Sequence, residues 1–502
     1  MFNPAEQRHD RLLAVGGVAL ATALPVVCAI VNPDNLYDAA AQLVLLIAAL
    51  VSIAMVSYER RIGPTKAFIV VWYVLLGCIP CGLYLLVSLG YEPRFAVTGD
   101  LARSSRAAEF AAIGLPMFSL FSSLTHDLMG RLRLQGVSLS IQTLSNSEAA
   151  VKALTVIWLT AAIVSFGARN GILQIAGLET VGDLGGYRVS SLWGGALLAF
   201  EAMGPWISAV LMWHVADKSG QSKRWARFPA LCMVAFTAFI AVFAGWKSPA
   251  VILLLYFAIA RANRGRGLPL VLCLVCGCSF VLLIGPFVKQ LRWEMETGAL
   301  QQEGRIEAPL NVLMQPSDWL GNLQYLELDT LGRGVSQTSS ESLRSAGWFS
   351  GPWNGMTVAW GLEAQIPRLV QADKRDLNIG NFVAQTIGPE LGLSRASDDV
   401  NSLALFTPCE VAANYGLVAG YFSFAAIGIV WSAISVLVCG PQQNASCSVV
   451  AVLVVGVMWF EAPLGHLLAH VRTFALGLAA LITVGLIAHS LFRVGARRFS
   501  VH

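Results

Sequence analysis

Seven cations, one carboxylate and a pair of histidines carry the chemistry that this sequence offers. The cations are Arg169 and Arg188, Lys247 in the turn "AGWKSPA", Arg344, and Arg368, Lys374 and Arg375 in "IPRLVQADKR" (366–375). A planar guanidinium grips a phosphate with two parallel hydrogen bonds, and an ammonium acts as a point charge. Several of them converging would suit a diphosphate. The plainer reading is ion pairing, since Asp373 and Asp376 bracket Lys374 and Arg375.

The carboxylate is Glu410, in "FTPCEVAANYGLVAG" (406–420). Thr407 and Glu410 have the T-x-x-E spacing of a capping box, with Pro408 in the first helical turn. A carboxylate at the mouth of a membrane span is also well placed as a general base. Both readings stand. Gly416 and Gly420 form a small-xxx-small step for close helix packing.

The histidines are His466 and His470, in "FEAPLGHLLAHVR" (460–472), read as the external turn before the last span. Four residues apart, they share one helix face. They suit acid–base or hydrogen-bonding work on a substrate, or they hold backbone carbonyls at the interface. With Glu461 they could ligate a metal, but two histidines are a thin basis, and no metal or cofactor is expected. Glu201 lies about mid-bilayer in an apolar run. A charge there is costly unless paired or neutralised, so Glu201 serves either function or another span.

No G-K-[ST] phosphate loop, G-x-S-x-G elbow or H-E-x-x-H helix occurs. Any energy for a reaction must therefore come from the substrate itself or from a gradient.

The elements that position these residues are membrane helices. The chain has 502 residues, 56% of them hydrophobic and only 13% charged. Its mean hydropathy is +0.64. Soluble domains carry about 25% charge, so this is a polytopic membrane protein. A net charge of +4 gives no reason to expect a nucleic acid partner. No cleavable signal peptide is expected, because "RLLAVGGVALATALPVVCAIV" runs on without a small-residue cleavage site. Cys28, Cys78, Cys81, Cys232, Cys273, Cys276, Cys278, Cys439 and Cys447 lie in or beside apolar runs, where cysteine is a small packing residue.

Apolar stretches long enough to cross the hydrocarbon fall at 12–31, 37–57, 67–89, 107–126, 151–168, 190–216, 228–245, 248–261, 268–288, 410–438, 447–462 and 470–492. One set of their connections carries eighteen Lys and Arg, and the short connections opposite carry six. The positive-inside rule then places both termini in the cytoplasm and 289–409 outside. The expected organisation is all-α. Residues 1–288 hold spans one to nine with a small external loop at 168–189, 289–409 form one large loop, and 410–502 hold the last three spans and a short tail. The large loop has nine Lys/Arg against fourteen Asp/Glu, so its cations are local features. Trp293, Trp319, Trp348, Trp353 and Trp360 argue that it folds. "SDWLGNLQYLELDTL" (317–331) reads as a helix lying on the membrane or spans, and "NIGNFVAQTIG" (378–388) as a second short helix. An ordered loop of that length is usually functional.

Three stretches resemble the O-antigen polymerases of Wzy type, and more broadly the polymerases of oligosaccharide repeat units in bacterial envelopes. "ARNGILQIAGLETVGDLGGYRVSS" (168–191) looks like the family's smaller external loop. "FAGWKSPAVILLLYFAIARANRGRG" (243–267) resembles its turn, apolar run and basic end, with Lys247 where an arginine is usual. "GLEAQIPRLVQADKRDLNIGN" (361–381) and "FTPCEVAANYGLVAGY" (406–421) resemble its Pro-Arg and Glu regions, with Cys409 replacing a small residue. Arg344 and Gly355 also have the R-x10-G spacing noted in the family; Arg169 and Arg188 lack it.

The resemblance implies a GT-C-like membrane glycosyltransferase in the bacterial inner membrane, working at its periplasmic face without metal. Donor and acceptor would both be glycans on undecaprenyl diphosphate. A chain-length regulator and a flippase would be its partners, besides membrane lipids. Arg368, Lys374, Arg188, Lys247 and Arg344 would hold the leaving diphosphate. Glu410, His466 or His470 would take the proton of the acceptor hydroxyl. The tryptophans would pack the loop or stack on sugars. The nearest rival is an O-antigen ligase-like transferase, for which His470 beside Arg472 is a typical feature. A transporter of lipid-linked glycan is a further alternative.

Overall fold

The computed structural model describes residues 68, 72, 105–132, 141, 144–169, 178–181, 186–189, 192–216, 224–243, 248–263, 314, 350–366, 382, 385–386, 406–440, 447–458 and 464–499. These are helical, with one short hairpin. In chain order the helices are α1 (Ser105–Arg131), α2 (Glu148–Arg169), α3 (Leu192–Glu201), α4 (Gly204–Val215), α5 (Arg227–Phe243), α6 (Ser248–Asn263), α7 (Met356–Glu363), α8 (Thr407–Tyr415), α9 (Leu417–Cys439), α10 (Cys447–Met458) and α11 (Leu464–Phe499). The exception to the all-α expectation is β1 (Leu178–Val181) paired antiparallel with β2 (Gly186–Val189), inside the expected small loop 168–189.

Among the described residues four stretches are long and apolar enough to cross a membrane: Glu148–Ala168, Gly194–Val215, Leu417–Cys439 and Leu464–Ala488. Shorter apolar helices occupy Arg227–Phe239 and Ile252–Arg261. Large apolar side chains stand exposed on these helices, among them Val156, Phe228, Leu231, Phe422 and Ile487. On a helix that crosses a membrane such residues face hydrocarbon, where they cost nothing. The expected spans 12–31, 37–57 and 268–288 lie outside the described residues, as does 67–89 apart from Phe68 and Trp72.

Two expected spans are interrupted. The run at 190–216 breaks at Ala202–Met203, between α3 and α4, where Pro205 enters the first turn of α4. Proline supplies no amide to the preceding turn and its ring crowds that turn's carbonyl, which ends the ladder of α3. Helix α11 crosses this break so closely that a Cβ on Gly477 would fall on the Ala202 carbonyl oxygen. Close by, Trp206 stacks on Phe474 at 4.4 Å and donates from Nε1 to the Phe474 carbonyl at 3.3 Å.

The run at 410–438 divides into α8 and α9 at Gly416, whose φ of 91° suits glycine alone. Gly416 is thus a joint between helices, and backbone packs closely there: a Cβ on Gly351 would lie 3.1 Å from the Gly416 nitrogen. At Gly428 the backbone of α9 meets α1, with the Ser122 hydroxyl donating to the Gly428 carbonyl at 3.1 Å. The start of α8 is pinned by aromatic packing: Phe406 meets Trp72 at 5.3 Å and Phe424 at 5.6 Å, and Trp72 stacks on Phe118 at 4.5 Å.

Candidate functional site

Three elements meet at one junction: α7, from the stretch 289–409 expected as a large loop, α8 before the span α9, and the start of α11. Helix α8 opens at Thr407 with Phe406 as its cap residue and no side-chain capping bond. The capping box expected at Thr407 and Glu410 therefore does not form. The Glu410 carboxyl turns instead to another helix, where Oε2 accepts from the Leu464 amide at 2.6 Å. Leu464 is the first residue of α11, and its N–H has no partner within its own helix. Glu410 caps α11 across the fold.

One turn later on α8, Asn414 does the same for α7. Its Oδ1 accepts from the Thr357 amide at 3.2 Å, and its Nδ2 donates to the Thr357 hydroxyl at 2.7 Å. Gly355, the residue before α7, has φ of 81° and offers no side-chain cap of its own. The Trp353 amide adds a bond to the Ala413 carbonyl at 3.2 Å.

The far end of α7 is held by α11. Arg472 donates from Nη1 to the carbonyls of Ala364 at 3.3 Å and Gln365 at 3.1 Å. Cations suit the carboxyl end of a helix, where carbonyls lack partners. Gln365 donates from Nε2 to the carbonyls of Gly361 and Gly465, at 3.0 and 3.2 Å. The backbones meet there: a Cβ on Gly361 would lie 2.9 Å from Gly465. The three helices form a closed triangle, each pair joined by hydrogen bonds.

Glu410 is fully buried within the triangle, and its Oε1 has no hydrogen-bond partner among the described residues. Burial pushes its carboxyl above the ordinary carboxylate range, while the Leu464 amide and the Thr357 hydroxyl pull the other way. Loss of hydration disfavours the charged form, and hydrogen bonds to the carboxylate favour it. A carboxyl whose ionised form is disfavoured by burial is a stronger base than an ordinary carboxylate once it is ionised.

His466 and His470 are exposed, on the first turns of α11 just beyond Leu464. They lie on one helix, as their spacing implied, and that helix starts at Leu464, earlier than the expected span at 470–492. The structure thus brings Glu410, His466 and His470 to one junction. Arg188 stands in β2, opposite Glu179 in the register of the hairpin. Lys247, Arg344, Arg368 and Lys374 lie outside the described residues. Trp353 and Trp360 both pack edge-on against Phe382, at 5.4 and 5.1 Å, and Trp353 and Phe382 join the core that the longer helices share. The three described residues of 378–388, Phe382, Gln385 and Thr386, are helical as expected. Glu201 accepts from the Ser165 hydroxyl of α2 at 2.6 Å, so it serves as a partner of another helix.

Sequence reasoning missed Thr357, Gln365, Asn414 and Arg472 as members of the junction. One signal was available: Glu410 and Asn414 have the i, i+4 spacing that puts both on one face of α8. Among the described residues no three His, Cys, Asp or Glu gather as metal ligands would. No family model, no curated protein and no solved structure matches this chain.

Proposed function

We propose that the chain is a polymerase that joins undecaprenyl-diphosphate-linked oligosaccharide repeat units at the outer face of the inner membrane. The observation that carries this reading is the buried Glu410 carboxyl on the first amide of α11, whose opening turns carry two exposed histidines. The excess of Lys and Arg on the opposite set of connections supports an external position for that junction.

The chemistry is a glycosyl transfer between two lipid-linked glycans. The bond from the donor's anomeric carbon to the diphosphate oxygen breaks. The acceptor hydroxyl oxygen bonds to that carbon, and its proton passes to Glu410 or to His466 or His470. Undecaprenyl diphosphate leaves with the electron pair. Its growing charge calls for cations, which Arg368, Lys374, Arg188, Lys247 and Arg344 supply in this reading. No nucleotide takes part, in keeping with cytoplasmic connections too short for an ATP-binding domain.

The rival readings have less support. The ligase-like alternative leaned on His470 beside Arg472, and Arg472 is engaged with the carbonyls that end α7. A transporter needs polar groups along a central path, and Glu201 is hydrogen-bonded between helices. Deleting the gene tests the proposal. Loss of the polymerase leaves single repeats on the final acceptor, whereas loss of a ligase leaves polymer on the carrier lipid.

A further inference from the structure

We infer that α7 is a strap, held at both ends by neighbouring helices, whose docking closes the Glu410 carboxyl from the external medium. Helix α7 has eight residues. Isolated helices below about 12–15 residues are marginal in water, because few hydrogen bonds offset the cost of nucleation. This one has no side-chain cap within its own segment at its amino end. What caps it comes from elsewhere: Asn414 of α8 at Thr357, and Arg472 of α11 at Ala364 and Gln365. The helix is therefore stable where α8 and α11 stand at the right spacing, and Glu410 sets that spacing through Leu464.

The strap lies over a carboxyl with one oxygen bonded to Leu464 and the other without a hydrogen-bond partner among the described residues. Glu410 is fully enclosed, Thr357 of α7 stands against its carboxyl, and Oε1 accepts no hydrogen bond among the described residues. An oxygen of that kind is costly to bury and asks for an explanation. Lifting α7 supplies one: Oε1 then meets water or a hydroxyl. Among the described residues the contacts to be given up sit at the ends of the helix: Tyr415 against Gly355, the Trp353 amide on Ala413, the Gln365 side chain on Gly465, and the glycine-to-glycine approach at Gly361 and Gly465. The gating role rests on the polymerase reading, in which the hydroxyl belongs to the acceptor sugar. The docking itself does not.

The test reads docking without any glycan, on purified full-length protein. Hydrogen–deuterium exchange follows the amides of 356–366, and a water-soluble carbodiimide with mass spectrometry reports whether Glu410 is reached. In the parent protein Glu410 stays unmodified while the exposed Glu148 reacts. In Arg472→Ala, exchange across 356–366 rises about tenfold, because it follows the population of the open form, and Glu410 becomes modified. Arg472→Lys still offers a donor to the two carbonyls and restores most of the protection. Gly361→Ala pushes α7 off Gly465 by a separate route and has the same effect as Arg472→Ala. Unchanged exchange in both variants overturns the inference. So does faster exchange with Glu410 still unmodified, since the strap would then not be its cover. A variant that opens the strap yet leaves glycan length normal supports the strap and speaks against the polymerase.

Discussion

Glu410 and Asn414 stand one turn apart on the same helix, and each caps the amino end of a different one: Oε2 of Glu410 on the Leu464 amide, Oδ1 of Asn414 on the Thr357 amide. A nine-residue helix thereby fixes the large loop to the last membrane helix. The candidate chemistry is at this joint.

The raised pKa of Glu410 makes the joint sensitive to pH. The fold favours the protonated carboxyl. Its contribution is complete below the ordinary carboxylate pKa and is lost as pH rises through the raised value. Glu410→Gln keeps an oxygen for the Leu464 amide and removes the ionisation. Melting temperatures of the two proteins should therefore agree in acid, with the parent falling below the variant as pH rises. A difference that does not change with pH contradicts this.

Gly477 is required by the crossing of α11 over the break between α3 and α4. In Gly477→Ala the new Cβ falls on the Ala202 carbonyl. Backbone cannot yield as a side-chain tip does, so a loss of about 1–3 kcal/mol is expected. A melting curve checks it, and an unchanged midpoint would show that α11 does not pass so close.

His466 and His470 are exposed, so replacing them disturbs little packing. His466→Ala and His470→Ala should keep the parent melting temperature. If either histidine moves the acceptor proton, its loss lowers transfer by on the order of 10²-fold or more. Rates measured with lipid-linked repeat units give the answer, and parental rates in both variants remove the pair from the reaction.

Arg368 is the cation of the large loop assigned here to the leaving diphosphate. Arg368→Ala should shorten the polymer seen on a gel of extracted glycans in a null background. Arg368→Lys should recover only part of it, because an ammonium cannot make the paired bonds of a guanidinium. Normal long chains in Arg368→Ala would refute the assignment.

Much of the helical framework was legible in the sequence because apolar run length reports it directly. The run at 151–168 became α2 (Glu148–Arg169), and the run at 248–261 became α6. What escaped were the interruptions. Hydropathy does not distinguish a helix that continues through Gly416 from one that turns there, or register the stop that Pro205 imposes. The hairpin at 178–189 was hidden by its Gly-containing connection "GDLG" (182–185), which reads as loop. At the junction, Glu410, His466 and His470 were found from residue type and position. Thr357 and Arg472 were not, because their partners lie 57 and more than 100 residues away in the chain. Only the fold brings an amide in the loop to an asparagine before a span.

The most direct test of the account is the length of the glycan made by Glu410→Gln in a cell that lacks the parent protein. Glutamine preserves the bond to Leu464 and cannot accept the acceptor's proton. The account predicts single repeat units in place of the ladder, with the variant present in the membrane at the parent level. A full-length ladder from that variant would contradict it.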